Sequence, residues 1–241
     1  IADIRDAIPR VPVIAVTASA TAAVVADICE QLHFRKGYRV FKTSFERKNL
    51  SFVVRKTDNK LNELCHILSS VQGSAVVYSR TRRGVEEYAG KLRAAGISAE
   101  YFHAGLDPVI KTERQTDWLK GNTRVLVATN AFGMGIDKGD VRLVIHTEFP
   151  DSMEAYYQEA GRAGRDGNRA YAVALLGPQD ITDIKRRPSN AFPTIEYIKR
   201  VYEALCNRFQ IAEGDGEGVS VYLNEPEFLR DWHFDKGRLR S

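Results

Sequence analysis

Apolar residues along the chain follow two different periods. Short apolar runs, Ser74–Tyr78 (SAVVY), Arg124–Ala128 (RVLVA), Leu143–His146 (LVIH) and Ala170–Leu176 (AYAVALL), read as strands buried on both faces. Leu50–Val54 and Ile97–Phe102 add two more strands. Between them the apolar positions recur at helical spacing. Leu61 to Val71 forms one stripe, Val85, Tyr88, Ala89 and Leu92 a second that Gly96 closes, and Pro108 to Leu119 a third with proline near its start. Asp151, with Glu154 three residues on, has the spacing of a capping box opening a further helix, and Gln179 to Arg187 makes another. Strands alternating with helices of about ten residues predict an α/β fold with a mostly parallel sheet covered on both faces. In such a sheet, ligands bind beyond the carboxyl ends of the strands.

The pattern changes at both ends. Val13–Val16 is an apolar run that suits a buried strand, followed by the small polar cluster Thr17-Ala18-Ser19-Ala20-Thr21. Val25, Ile28, Cys29 and Leu32 then stripe a helix, and Arg39 to Thr43 is a second strand candidate. Ser44 to Asn49 (SFERKN) is a charged connector, which divides residues 1–45 from an α/β unit over 46–189. Residues 190–241 form a helical tail. Ile195, Ile198, Tyr202, Leu205 and Phe209 define a long helix, Gly214 to Gly218 a turn, Val219 to Leu223 a short strand and Glu225 to Trp232 a short helix.

Composition narrows the class. With 44% hydrophobic and 27% charged residues the chain is an ordinary folded protein, neither disordered nor spanning a membrane by a helix. A net charge of +4 is compatible with nucleic acid without requiring it. Three dispersed cysteines, Cys29, Cys65 and Cys206, contain no Cys-x-x-Cys pair, so reduced, buried thiols in a cytoplasmic or nuclear setting are expected. The opening Ile1-Ala2-Asp3-Ile4-Arg5 has no initiator methionine and no signal-peptide pattern, and reads as a cut within a longer protein.

Two motifs carry the candidate chemistry. Tyr156 to Gly167 (YYQEAGRAGRDG) sets Arg162 and Arg165 among glycines at positions 161, 164 and 167, with Gln158 on the same face as Arg162 if the segment is helical. Arginine presents a fork of donors that matches phosphate oxygens, although an isolated Gly-Arg pair also serves as a solvated helix end. Val127 to Asp137 (VATNAFGMGID) leaves a strand with Thr129 and Asn130, turns on Gly133 and Gly135, and presents Asp137, which could equally cap its own loop. It is not the G-x-G-x-x-G dinucleotide signature, because no third glycine follows.

Together these motifs resemble the second motor lobe of superfamily-two helicases, most closely the RecQ family of DNA helicases. IAVTASAT (Ile14–Thr21) is similar to the end of that family's first RecA-like lobe. SAVVYSRTR, YFHAGL, VATNAFGMGIDKGDVRLVIH and YYQEAGRAGRDG are similar to its second-lobe motifs in content, order and spacing, over roughly residues 10 to 187. The resemblance implies a RecA-like parallel sheet flanked by helices and an ATP-dependent 3′-to-5′ DNA helicase acting in recombination and repair. It implies Arg162 and Arg165 at the γ-phosphate, Arg165 as the finger, and Gln158 positioning the attacking side. Asp137 and Gly135 are implied at the nucleotide, and Thr17 and Ser19 in coupling between lobes. Single-stranded DNA is implied along Ser79, Arg80, His103, Thr129 and Asn130. Arg80 with Arg82 and Arg83 also reads as a solvated helix start, His103 as a structural histidine, and Lys185-Arg186-Arg187 as a solvated helix end.

The phosphate-cradling G-x-x-x-x-G-K-[ST] loop and an Asp-Glu magnesium box are absent. ATP and Mg²⁺ are therefore expected to be held mainly by an N-terminal lobe of the same protein, and these 241 residues alone to be inactive. Only Cys206 lies in the tail, so no four-cysteine zinc subdomain is expected there, and no other metal site. Rival readings are a non-catalytic module for nucleic acid or partner proteins, and an RNA helicase lobe.

Overall fold

A computed structural model describes residues 11–17, 20–42, 44, 46–133, 136–191, 193–212, 214–218 and 220–239. It separates into two compact units, one up to Gly177 and one from Pro178.

The first unit is built on six strands: β1 (Leu50–Lys56), β2 (Ser74–Tyr78), β3 (Ala99–Phe102), β4 (Val125–Ala128), β5 (Val141–His146) and β6 (Ala170–Leu176). They form one sheet in the order β1-β6-β5-β2-β4-β3, with every pair parallel. The helices of this unit are α1 (Ala22–Gln31), α2 (Lys60–Ser70), α3 (Arg82–Ala94), α4 (Pro108–Lys120) and α5 (Met153–Ala160). The apolar runs behave as their composition dictates. β2 and β4 are buried at every residue, and alternate side chains enter two cores on opposite faces. Ala75, Val77, Val125 and Val127 pack with Leu64 and Leu68 of α2 and Val85 and Leu92 of α3. Val76, Tyr78, Leu126 and Ala128 pack on the other face with Trp118 of α4 and with Phe132. The Trp118 indole donates to the Ala75 carbonyl at 3.1 Å, which satisfies its one polar atom inside the core.

Helix starts follow local chemistry. Thr81 caps α3 by accepting from the Gly84 amide, and Asp107 caps α4 with Pro108 in its first turn. At α5 the expected Asp151 cap is displaced by one residue. Ser152 accepts from the Ala155 amide at 3.1 Å, and the Asp151 carboxylate turns instead to Arg80. The competing ion pair explains the shift.

Three expected strands are not formed. Val13–Val16 has no regular structure, with Ile14 and Val16 exposed. Residues 39–42 and 220–223 are likewise irregular, while Thr43 and Val219 lie outside the described residues. A strand requires a neighbour's backbone ladder, and none of the described strands pairs with these segments. The α1 stripe is only half-buried at Val25, Ile28 and Cys29.

The second unit holds α6 (Pro178–Ala191), α7 (Ile195–Phe209), α8 (Glu225–Trp232) and α9 (Lys236–Leu239). Its small core joins Ala204, Phe228 and Phe234 with Val201, Leu205 and Trp232 at its margin. Arg208 of α7 bridges to Glu227 at 2.9 Å and Asp231 at 3.3 Å on α8. Cys206 is buried, Cys29 and Cys65 are partly buried, and all three are free thiols. No helix among the described residues is long and apolar enough to cross a membrane. The side chains of Arg186 and Arg187 lie outside the described residues, as do Ser19 and Gly135.

Candidate active site

Because all six strands are parallel, their carboxyl ends share one rim. The backbone ladder continues one residue beyond the strands. The Ser79 amide donates to Ala128, Thr129 to Phe102 and Thr147 to Tyr78, at 2.9–3.1 Å. These rungs set the first residue after each strand in a fixed place. Ser79, Arg80 and Asn130 line one cleft of about 130 Å³ together with Tyr78, His146, Glu148, Asp151 and Glu159. Thr129 is buried, and His103 is buried with its Nε2 2.9 Å from Glu86 and its ring stacked on Tyr101; neither lines that cleft. Thr17 is exposed, in the irregular segment before α1.

The cleft is not simply basic. Glu148 Oε2 accepts from the Arg80 amide at 2.8 Å and from the Ser79 hydroxyl at 3.4 Å. Asp151 accepts from Arg80 Nη1 at 2.6 Å. These carboxylates take up donors that a phosphate would use. Both come from TEFPD, a turn whose register against Arg80 only the fold defines.

The arginine loop follows α5. That helix ends at Ala160, so Gln158 and Arg162 do not share a helical face; Gln158 is exposed on α5 and Arg162 lies in the turns that follow. Arg162 Nη1 donates to the Gly133 carbonyl. Gly133 has a φ of +146°, and a Cβ there would run into the Arg162 guanidinium, so only glycine permits this approach. Arg165 Nη1 donates to the Ile136 carbonyl at 2.8 Å and to Asp137 at 3.0 Å. The Arg165 side chain is 36% exposed and that of Asp137 87%. Gly133, Ile136 and Asp137 of the first motif thus meet the two arginines of the second.

Tyr78, His146 and Glu159 form a buried polar group in the wall of the cleft. His146 Nε2 is 2.8 Å from Glu159, and its ring stacks on Tyr78 at 5.3 Å. The Tyr78 hydroxyl donates to the Phe132 carbonyl at 3.2 Å. Burial raises its pKa above the ordinary tyrosine value, against the nearby Arg162, while Glu159 raises it further.

The sequence pattern of the helicase conserved C-terminal domain matches residues 59–167. ATP-dependent DNA helicase RecQ of Bacillus subtilis (strain 168) is 42% identical over 172 residues, which cover 70% of this chain and 29% of that protein. ATP-dependent DNA helicase hus2/rqh1 of Schizosaccharomyces pombe is 40% identical, over 99% of this chain and 18% of its own length. The chain belongs to the RecQ family of helicases. Its fold is that of a helicase C-terminal RecA-like lobe. The solved structure of S. cerevisiae Dbp5 bound to RNA and ADP BeF3 aligns with a TM-score of 0.60 over 74% of this chain and 48% of that one, at 19% identity, a likeness of fold alone. This RecQ-family chain thus spans less than a third of either of the two curated relatives.

Within this RecQ-family lobe, sequence reasoning overlooked several residues that shape the site. Arg142 donates to Asp166 at 2.6 Å and holds that carboxyl down to a pKa of about 2, with Asn168 adding to the effect. Arg47 and Asn49, in the SFERKN connector, donate to carbonyls of the arginine loop. Only their charge and amide character were visible; their target lies more than 110 residues further on. Among the described residues no group of three or more His, Cys, Asp or Glu side chains is placed to hold a metal ion.

Proposed function

We propose that these residues form the second motor lobe of an ATP-dependent DNA helicase of 3′-to-5′ polarity, working in recombination and repair wherever the cell keeps its DNA, cytoplasm or nucleus. The observation that carries this reading is the pairing of Arg165 with Ile136 and Asp137 beside Arg162 on Gly133. Two guanidiniums thereby meet one glycine-turned loop at the strand rim, an arrangement suited to a polyphosphate.

Their environments divide the labour. Arg162 is a clamp on the loop: its Nε is buried and its Nη1 is committed to a backbone carbonyl. Arg165 is more exposed, and its ion pair with Asp137 is a surface one, worth ~0–1 kcal/mol and readily exchanged for a phosphate. Arg165 is the finger that neutralises charge on the transferring phosphoryl group. Asp137, released or retained, accepts from the ribose or steadies the loop. Gln158, exposed on the preceding helix, orients the attacking side. ATP is the substrate, and its Mg²⁺ is assigned to residues of the N-terminal lobe, the phosphate loop being absent here. Single-stranded DNA runs over Ser79, Arg80 and Asn130, its backbone phosphates replacing Glu148 and Asp151 as acceptors for Ser79 and Arg80. His103 and Thr129, both buried, support that rim from behind.

The test is steady-state ATP hydrolysis by the full-length protein with a single-stranded oligonucleotide. Arg165→Ala should lower kcat by about 10³-fold or more, the range for losing such a finger. A drop of less than about tenfold would overturn the assignment.

A further inference from the structure

The backbone of the arginine loop has a difficult geometry to maintain. A helix leaves its last carbonyls without intrahelical donors, and this loop turns at once after Ala160 through glycines of unusual conformation. Gly164 sits at φ +62°, and a Cβ on it would lie 2.6 Å from Asn49 Nδ2, 2.8 Å from the Asn168 carbonyl and 2.9 Å from Ala170 Cβ. The loop carbonyls converge on that same side, where they meet two side chains from the connector before β1.

Arg47 Nη2 donates to Gly164 at 2.7 Å and to Ala163 at 3.1 Å, and Nη1 to Gly161 at 3.5 Å. Asn49 Nδ2 donates to Gly164 at 2.6 Å and to Asn168 at 2.9 Å. Arg47 Nε reaches Asn49 Oδ1 at 3.4 Å, which links the two side chains. Both are themselves anchored by backbone bonds, Leu50 N to Arg47 O at 3.0 Å and Ala170 N to Asn49 O at 2.9 Å, so the grip is built on the sheet edge. From the far side the Gly164 amide donates to Val141 at 2.9 Å. With its carbonyls drawn towards Arg47, the loop sends Arg162 and Arg165 towards Gly133, Ile136 and Asp137.

We propose that Arg47 and Asn49 are positioning residues for the reaction: they hold the backbone of the arginine loop so that Arg165 is presented at the phosphate site. The inference rests on the reading of Arg165 as the finger. An arginine is suited to the task because one planar fork serves three carbonyls; a lysine ammonium offers a single point of charge. The grip also ties the finger loop to the segment by which the chain enters the lobe, so a displacement of residues 46–49 would reach the finger directly.

The test uses the full-length protein and compares ATP hydrolysis at saturating single-stranded oligonucleotide for wild type, Arg47→Ala, Arg47→Lys, Asn49→Ala and Arg165→Ala. Arg47→Ala should lower kcat by ~10–100-fold, the penalty for misplacing a reacting group by about an ångström. KM for ATP and the oligonucleotide Kd should stay within about twofold, the signature of an interaction felt only in the transition state. Arg47→Lys should recover part of the loss, and hydrogen exchange should quicken in Arg47→Ala at amides 161–168. If Arg47→Ala does not fold, Arg47→Lys and Asn49→Ala carry the same split between kcat and KM. Loss of activity in Arg165→Ala with wild-type kcat in the Arg47 and Asn49 variants overturns this proposal alone. A parallel change in kcat, KM and melting temperature that lysine does not relieve overturns it too, because that is a merely structural role. Retained activity in Arg165→Ala overturns the finger reading and the positioning role with it.

Discussion

Arg162 and Arg165 belong to one motif and have different surroundings, and the roles proposed for them rest on that difference. The first is held against Gly133 with its Nε buried; the second stands 36% exposed beside a carboxylate that is almost wholly in solvent. Neither fact could be read from GRAGRDG, where the arginines are equivalent by composition. A third charged residue of the loop, Asp166, has its own consequence. The Arg142 guanidinium, with Asn168, lowers its pKa from the ordinary 3.8 to about 2. A carboxylate whose folded pKa is depressed contributes stability that is complete above the unfolded value and fades as pH falls through the folded one. The Arg142–Asp166 contribution should therefore be intact above about pH 4 and disappear towards pH 2. Melting temperatures of wild type and Asp166→Asn should differ at pH 5 and converge as the solution is acidified through that window. A constant difference across the range would show that the ion pair is not its source.

At the scale of elements, periodicity located every strand of the sheet and each long helix between them. β6 (Ala170–Leu176), α7 (Ile195–Phe209) and α8 (Glu225–Trp232) begin and end at the expected residues. Periodicity failed where an element needs a partner or where two caps compete. Val13–Val16 has strand composition but pairs with none of the described strands, and Ile14 and Val16 remain in water. At α5, Asp151 and Ser152 are both good caps by type, and the ion pair of Asp151 with Arg80 leaves the cap to Ser152. Ser152→Ala should destabilise the lobe by about 1 kcal/mol in urea unfolding, the usual worth of an N-cap side chain. Asp151→Ala should change stability by less than half of that, since its ion pair with Arg80 is exposed. The reverse order would restore Asp151 as the cap.

At the scale of the whole molecule, the arginines proposed to meet a phosphate stand in a chain with no G-x-x-x-x-G-K-[ST] loop to cradle one. These 241 residues by themselves should hydrolyse no ATP with or without DNA, as measured by phosphate release from the purified polypeptide. DNA-stimulated hydrolysis that Arg165→Ala abolishes would overturn that expectation. What the sequence determined alone were the local and repetitive features: the alternating strands and helices, hence a parallel sheet, and the motif strings that mark the helicase family. Those depend on side-chain period and on residues adjacent in the chain. Tertiary structure decided the pairings across long stretches of chain. It brought Glu148 onto the donors of Ser79 and Arg80, stacked His146 on Tyr78, and set Arg47 and Asn49 behind the arginine loop. Each of these joins groups that only the closed sheet makes neighbours, and hydrogen bonds of about 3 Å leave no trace in a pattern of single residues.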